Sequence, residues 1–169
     1  MSEQSDIEEL NDPDFVEDDY NETPPSDIVA YNELRSCADL FRMAVDGVLE
    51  TKPHFQRDDV WKPADQTRFI DSLIKQLPIP SMCFALDYKH DKWIVIDGLQ
   101  RMSTIIRFLK GDDWRLSKLD DIDQNLVGKS AAMLKNAEGP DRIYYSRVQN
   151  QSLPMGPIYV CDPTSPFKG

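Results

Sequence analysis

One stretch of nineteen residues narrows what this chain can fold into more than any other: WIVIDGLQRMSTIIRFLKG, residues 93 to 111. Its opening WIVID is an apolar run closed by an acid, the mark of a buried strand. Further on, Met102, Ile105, Ile106 and Leu109 recur at helical spacing, and Gly111 supplies the stop. Strand and helix therefore meet within a few residues, and the meeting point, DGLQR, is polar where both flanks are apolar.

A strand that passes so abruptly into a helix turns the unpaired first-turn N–H groups outward, together with the positive end of the helix dipole. Gly98 lets a backbone or a ligand come close, Arg101 is a forked cation suited to phosphate oxygens, and Thr104 follows one turn later. These are the components of an anion site. Asp97 stands where it would hold a magnesium ion or orient a water on a phosphate. A purely structural alternative uses the same residues. Asp97 is then an ordinary N-cap, and Arg101 pairs with it or with Asp71 on a neighbouring helix.

The rest of the chain supplies a domain around this corner. SDIVAYNEL reads as a short strand. The segment SCADLFRMAVDGVLE reads as a helix with Ser36 as N-cap, Asp39 completing a capping-box arrangement, and Leu40, Phe41, Ala44 and Val45 on one face before Gly47. HFQRDDVW reads as a short extended piece and loop. In PADQTRFIDSLIKQLPIP the apolar positions 69, 70, 73, 74 and 77 form one stripe, and Pro78 ends it. SMCFALDY and WIVID pair as a hairpin across KHDK. SAAMLKNAEG reads as a short helix ending near Gly139, and PIYVCD as a last strand. The order β-α-β-α-β-β-α-α-β predicts a small α+β domain.

Charge divides the chain in two. The net charge of −11 comes from residues 1 to 27, which hold eleven acidic residues and no Lys or Arg, while residues 28 to 169 carry 19 acids and 19 bases. A run of that composition, broken by Pro24 and Pro25, is expected to be a disordered acidic tail. It serves either as a solvated tail or as a cover for a basic groove, which would leave DNA binding autoinhibited. Residues 28 to 169 are expected to form the domain.

Several classes drop out. No segment approaches the roughly 18 apolar residues of a membrane span, and no basic-then-apolar leader opens the chain. Three scattered cysteines (Cys37, Cys83, Cys161) and two histidines (His54, His90) argue against a zinc site or a disulfide framework, and for a cytoplasmic protein with reduced thiols. The paired glycines of a P-loop, an HExxH helix and a Ser-His-Asp set are all missing. FQRDDVW is the second candidate segment. It offers Arg57 beside Trp61, an aromatic that either stacks on a base or packs in the core.

FQRDDVW, RFIDSLIKQLPIP and WIVIDGLQRMSTIIRFLKG, in that order and at these separations, resemble the N-terminal domain of GmrSD-type modification-dependent restriction proteins. That family shows an FQR block followed by Trp, a helix ending in PIP, and a DGQQR-type motif ahead of a helix. The resemblance covers about residues 31 to 111 well and reaches loosely to PIYVCD. It implies a ParB/sulfiredoxin-like domain, a mixed sheet flanked by helices. It further implies binding, with hydrolysis in related anti-phage proteins, of a nucleoside triphosphate with Mg2+. Carried over, Asp97, Gly98, Leu99, Gln100, Arg101 and Thr104 line the nucleotide site. Asp97, Gln100 and Arg101 take the catalytic roles, Asp97 takes any metal, and Arg57 approaches from the opposite side. Leu99 stands where the family usually has Gln, which separates binding from turnover. The family's HNH nuclease domain is not within these residues, so a nuclease domain or subunit, and DNA, are the expected partners. A non-catalytic protein- or DNA-interaction module of the same fold is the alternative.

Overall fold

A computed structural model describes residues 29–51, 61–87, 89–111 and 114–161. The acidic tail and the FQR block, Arg57 included, lie outside the described residues. Within them the chain runs β1 (Val29–Ser36), α1 (Cys37–Val45), β2 (Leu49–Glu50), α2 (Pro63–Ile74), β3 (Met82–Asp87), β4 (Lys92–Asp97), α3 (Leu99–Lys110), α4 (Ala131–Lys135), a 3-10 turn (Gly139–Asp141), α5 (Arg142–Asn150) and β5 (Ser152–Cys161). This is an α+β domain around one five-stranded mixed sheet in the order β1-β5-β3-β4-β2. β1 and β4 run antiparallel to β5 and β3 respectively, while β3–β5 and β2–β4 are parallel.

One face of the sheet carries the core. Met82 and Phe84 on β3, Trp93 and Val95 on β4, and Leu153, Met155 and Ile158 on β5 are buried, with the intervening residues of β3 and β4 less so. This is the alternation a half-covered strand requires. Helix α3 buries Met102, Ile105, Phe108 and Leu109 in the same cluster, α2 adds Phe69, Ile70, Leu73 and Ile74, and α1 adds Cys37, Leu40 and Met43. Burial drives the Cys37 thiol up to about 12, so it behaves as a small apolar side chain.

The hairpin, α3 and the Ser36 cap form as the sequence predicts. Several details differ, among them that α4 stops at Lys135 and not near Gly139, and that β5 begins at Ser152, ahead of PIYVCD. Val45 is exposed, and the buried face of α1 is completed by Cys37 and Met43 instead. Helix α2 stops at Ile74, with Gln76 at φ 56, so Leu77 leaves the apolar stripe and is exposed. β2 forms at Leu49–Glu50, just past the expected Gly47 stop of the first helix and where the sequence predicts no strand, because it pairs with Trp93 and Ile94 of β4. Helix α5 was not expected: it buries only Val148 fully, and one buried position leaves almost no periodic signal.

Candidate functional site

The corner predicted from DGLQR is built by β4 and α3. Asp97 ends β4 opposite Cys83 of β3, where the pairing register shifts between Cys83 and Phe84. Gly98 then turns the chain at φ 93, in the left-handed region, and α3 begins at once. Two independent demands select glycine there. The backbone conformation disfavours any Cβ, and a Cβ would sit 2.5 Å from Met82 Cγ. What lies against Gly98 is therefore the side chain of Met82 from the core, not the backbone or ligand that the sequence predicts.

Helix α3 starts with no side-chain cap and with no acid in its first turn. Instead, its third position holds Arg101. The guanidinium is only 16% exposed and is held twice within the chain. Nη1 donates to the carbonyl of Pro80, and Nη2 donates to Asp97 Oδ2 at 3.1 Å. Of the two partners foreseen for a structural Arg101, the structure selects Asp97; Asp71 pairs with Lys75. The Asp97 carboxylate remains 68% exposed at the mouth of the corner.

The other residues of the motif divide in role. Gln100 Oε1 accepts from the backbone N–H of Trp61 at 3.0 Å, which ties the corner to the start of α2. Leu99 is partly buried against the core. Thr104 is wholly buried and donates its hydroxyl to the Gln100 carbonyl at 2.7 Å, so it braces the helix start from inside. Trp61 packs edge-on against Phe69, with ring centroids 5.7 Å apart, and takes the core role among its two readings. Asp97, Gly98, Gln100 and Arg101 thus come together at one corner, and Thr104 supports it from behind.

Sequence reasoning missed Pro80 and Met82. Met82 lies under Gly98, and the Pro80 carbonyl anchors the guanidinium. The PIP that ends the α2 block was the available signal, since a prolyl segment leaving a helix exposes carbonyls. No group of three or more His, Cys, Asp or Glu side chains that could hold a metal occurs among the described residues. Within the corner, Asp97 carries the exposed carboxylate that could take part in holding a metal. Among the described residues no helix is long and apolar enough to cross a membrane.

No curated protein and no solved structure matches the chain. Residues 37–163, from the first residue of α1 to just beyond β5, match the family described as GmrSD restriction endonuclease, N-terminal domain. The match takes in the hairpin, the glycine corner and α3 together. This chain belongs to the GmrSD N-terminal domain family.

Proposed function

We propose that this domain binds a nucleoside triphosphate at the β4–α3 corner and acts as the regulatory part of a restriction system, beside a nuclease domain or subunit that acts on DNA. The observation that carries the reading is the start of α3. A twelve-residue helix opens with glycine, no side-chain cap and a cation in its first turn. An arginine at that position opposes the helix dipole, and an anion bound there reverses the penalty. A ParB/sulfiredoxin-like arrangement of the domain goes with this reading.

In the proposed site the first-turn amides of α3 receive phosphate oxygens. Arg101, fixed by Asp97 and Pro80, supplies a positive charge that does not need to be ordered on binding. Asp97 would be the residue to hold Mg2+ brought in with the nucleotide, and the ion would supply charge neutralisation of the phosphates. Leu99 offers no polar group to a water, and Gln100 is committed to Trp61, so binding outweighs turnover in this reading. The test is calorimetric titration of the full chain with the four ribonucleoside triphosphates plus Mg2+, with phosphate release followed in parallel. Negligible heat with all four up to millimolar concentration would remove the proposal.

A second reading is favoured by one specific observation: the Arg101 guanidinium is already satisfied inside the chain. On that reading the domain is a non-catalytic interaction module for DNA or a nuclease, tuned by its acidic segment. Deleting residues 1–27 then raises DNA affinity with a steep salt dependence, and unchanged affinity counts against it.

A further inference from the structure

A groove of about 410 Å3 lies beside the corner, lined by Asn32, Glu33, Leu34, Ser81, Pro154, Met155 and Gly156. That volume falls within the usual range for small-ligand pockets. We infer that this groove receives the nucleoside end of the triphosphate whose phosphates sit at the α3 corner, with the Glu33 carboxylate accepting hydrogen bonds from the ribose hydroxyls. The inference rests on the nucleotide reading above and adds the second half of the site.

Strand pairing puts the two places on one row of the sheet. Glu33 pairs with Met155, Met155 with Met82, and the next residue of β3, Cys83, with Asp97. Three strand spacings separate β1, which carries Glu33, from β4, roughly 14 Å, a span that an extended triphosphate and its ribose cover together with the reach of the Glu33 side chain. The segment between them is shared. Pro80 is held by Arg101, Ser81 lines the groove, and Met82 lies under Gly98, so three successive residues form the wall common to both.

The groove's chemistry suits the uncharged end of a nucleotide. Arg35 Nε donates to Glu33 Oε1, which balances the carboxylate charge and fixes its orientation. A phosphate gains nothing there, whereas a vicinal diol is a good donor pair for a carboxylate. Leu34 and Pro154 supply apolar surface for a base. Asn32 lies across Gly156, where a Cβ would come within 1.9 Å of Asn32 Oδ1, so glycine on β5 lets the amide settle at the groove floor.

The experiment compares Mg2+ complexes of the four ribonucleoside triphosphates, their 2′-deoxy forms and inorganic tripolyphosphate, titrated into the full chain, Ser81→Trp and Glu33→Gln. Melting curves establish that both variants fold. Filling the groove with Ser81→Trp is expected to weaken the best ribonucleotide about tenfold or more, roughly 1.4 kcal/mol, and to leave tripolyphosphate within about twofold. Glu33→Gln is expected to erase most of the preference for ribose over deoxyribose. If the parent binds ribonucleotides and both variants bind them as the parent does, the groove proposal falls and the corner stands. If the parent binds neither nucleotide nor tripolyphosphate, the nucleotide reading falls and takes the groove with it.

Discussion

Helices α1 and α3 begin in opposite ways, one with a capping serine and an acid in its first turn, the other with glycine and an arginine. In α1 the N-cap is Ser36, whose hydroxyl accepts from the Asp39 N–H at 3.1 Å and donates to Asp39 Oδ2 at 2.8 Å. The third helical position is an acid, as the dipole favours, and Arg42 pairs with it at 3.1 Å. In α3 the N-cap is glycine, the third position is Arg101, and no side chain caps the turn. One helix start is capped by a side chain, and the other is not. Helices α2 and α5 also begin without a side-chain cap, so what sets α3 apart is the left-handed glycine at its N-cap followed by Arg101 at the third position.

The variants that break this contrast can be ordered by size. Gly98→Ala combines left-handed strain with a collision against Met82, and is expected to cost about 2–4 kcal/mol. A thermal melt should show the transition falling by about ten degrees, and a drop of only a degree or two would mean that Met82 moves aside freely. Arg101→Ala frees the Pro80 carbonyl and Asp97, for an expected loss of about 1–2 kcal/mol by urea denaturation. Arg101→Glu copies the acid of α1 into α3. It is expected to lower nucleoside-triphosphate affinity by about a hundredfold, and retained affinity would move the phosphates away from this corner. At the other helix, Ser36→Ala removes the cap and is expected to cost about 1 kcal/mol with no effect on nucleotide affinity.

A pH series makes the smallest and sharpest distinction. The hydrogen bond from Ser36, with Arg42 and Arg35 contributing less, holds the Asp39 carboxyl below its ordinary 3.8. The folded value is depressed, so the stabilisation is complete above 3.8 and is lost as the pH falls through the lower folded value. The penalty of Ser36→Ala measured at pH 7 should therefore shrink in strongly acidic solution. Because the Asp39 side chain is about half exposed, only a fraction of the penalty follows this route. A penalty that does not change with pH would assign the cap's effect to the amide bond alone.

Legibility in the sequence followed how local each cause is. The Ser36 cap, the β3–β4 hairpin, α3 and the glycine corner are each set by residues a few positions apart, and each was readable. The exposure of Leu77 was not, because Gln76 turns the chain one residue after the α2 cap. Nor was β2, two residues that exist as a strand only through β4. The residue content of the candidate site was readable, but its internal wiring was not. Nothing in the order of the residues says that the Arg101 guanidinium reaches the Pro80 carbonyl, or that Thr104 faces inward.

The sequence by itself determined the polar corner between an apolar strand and an amphipathic helix, the separation of charge, and the family, because spacing and residue type act over short range. Tertiary structure alone decided that Met82 underlies Gly98 and that Glu33 shares a sheet row with Met155 and Met82. The physical reason is strand pairing. β1 and β5 stand at opposite ends of the described chain, and only their antiparallel hydrogen bonds bring a groove to the side of the corner.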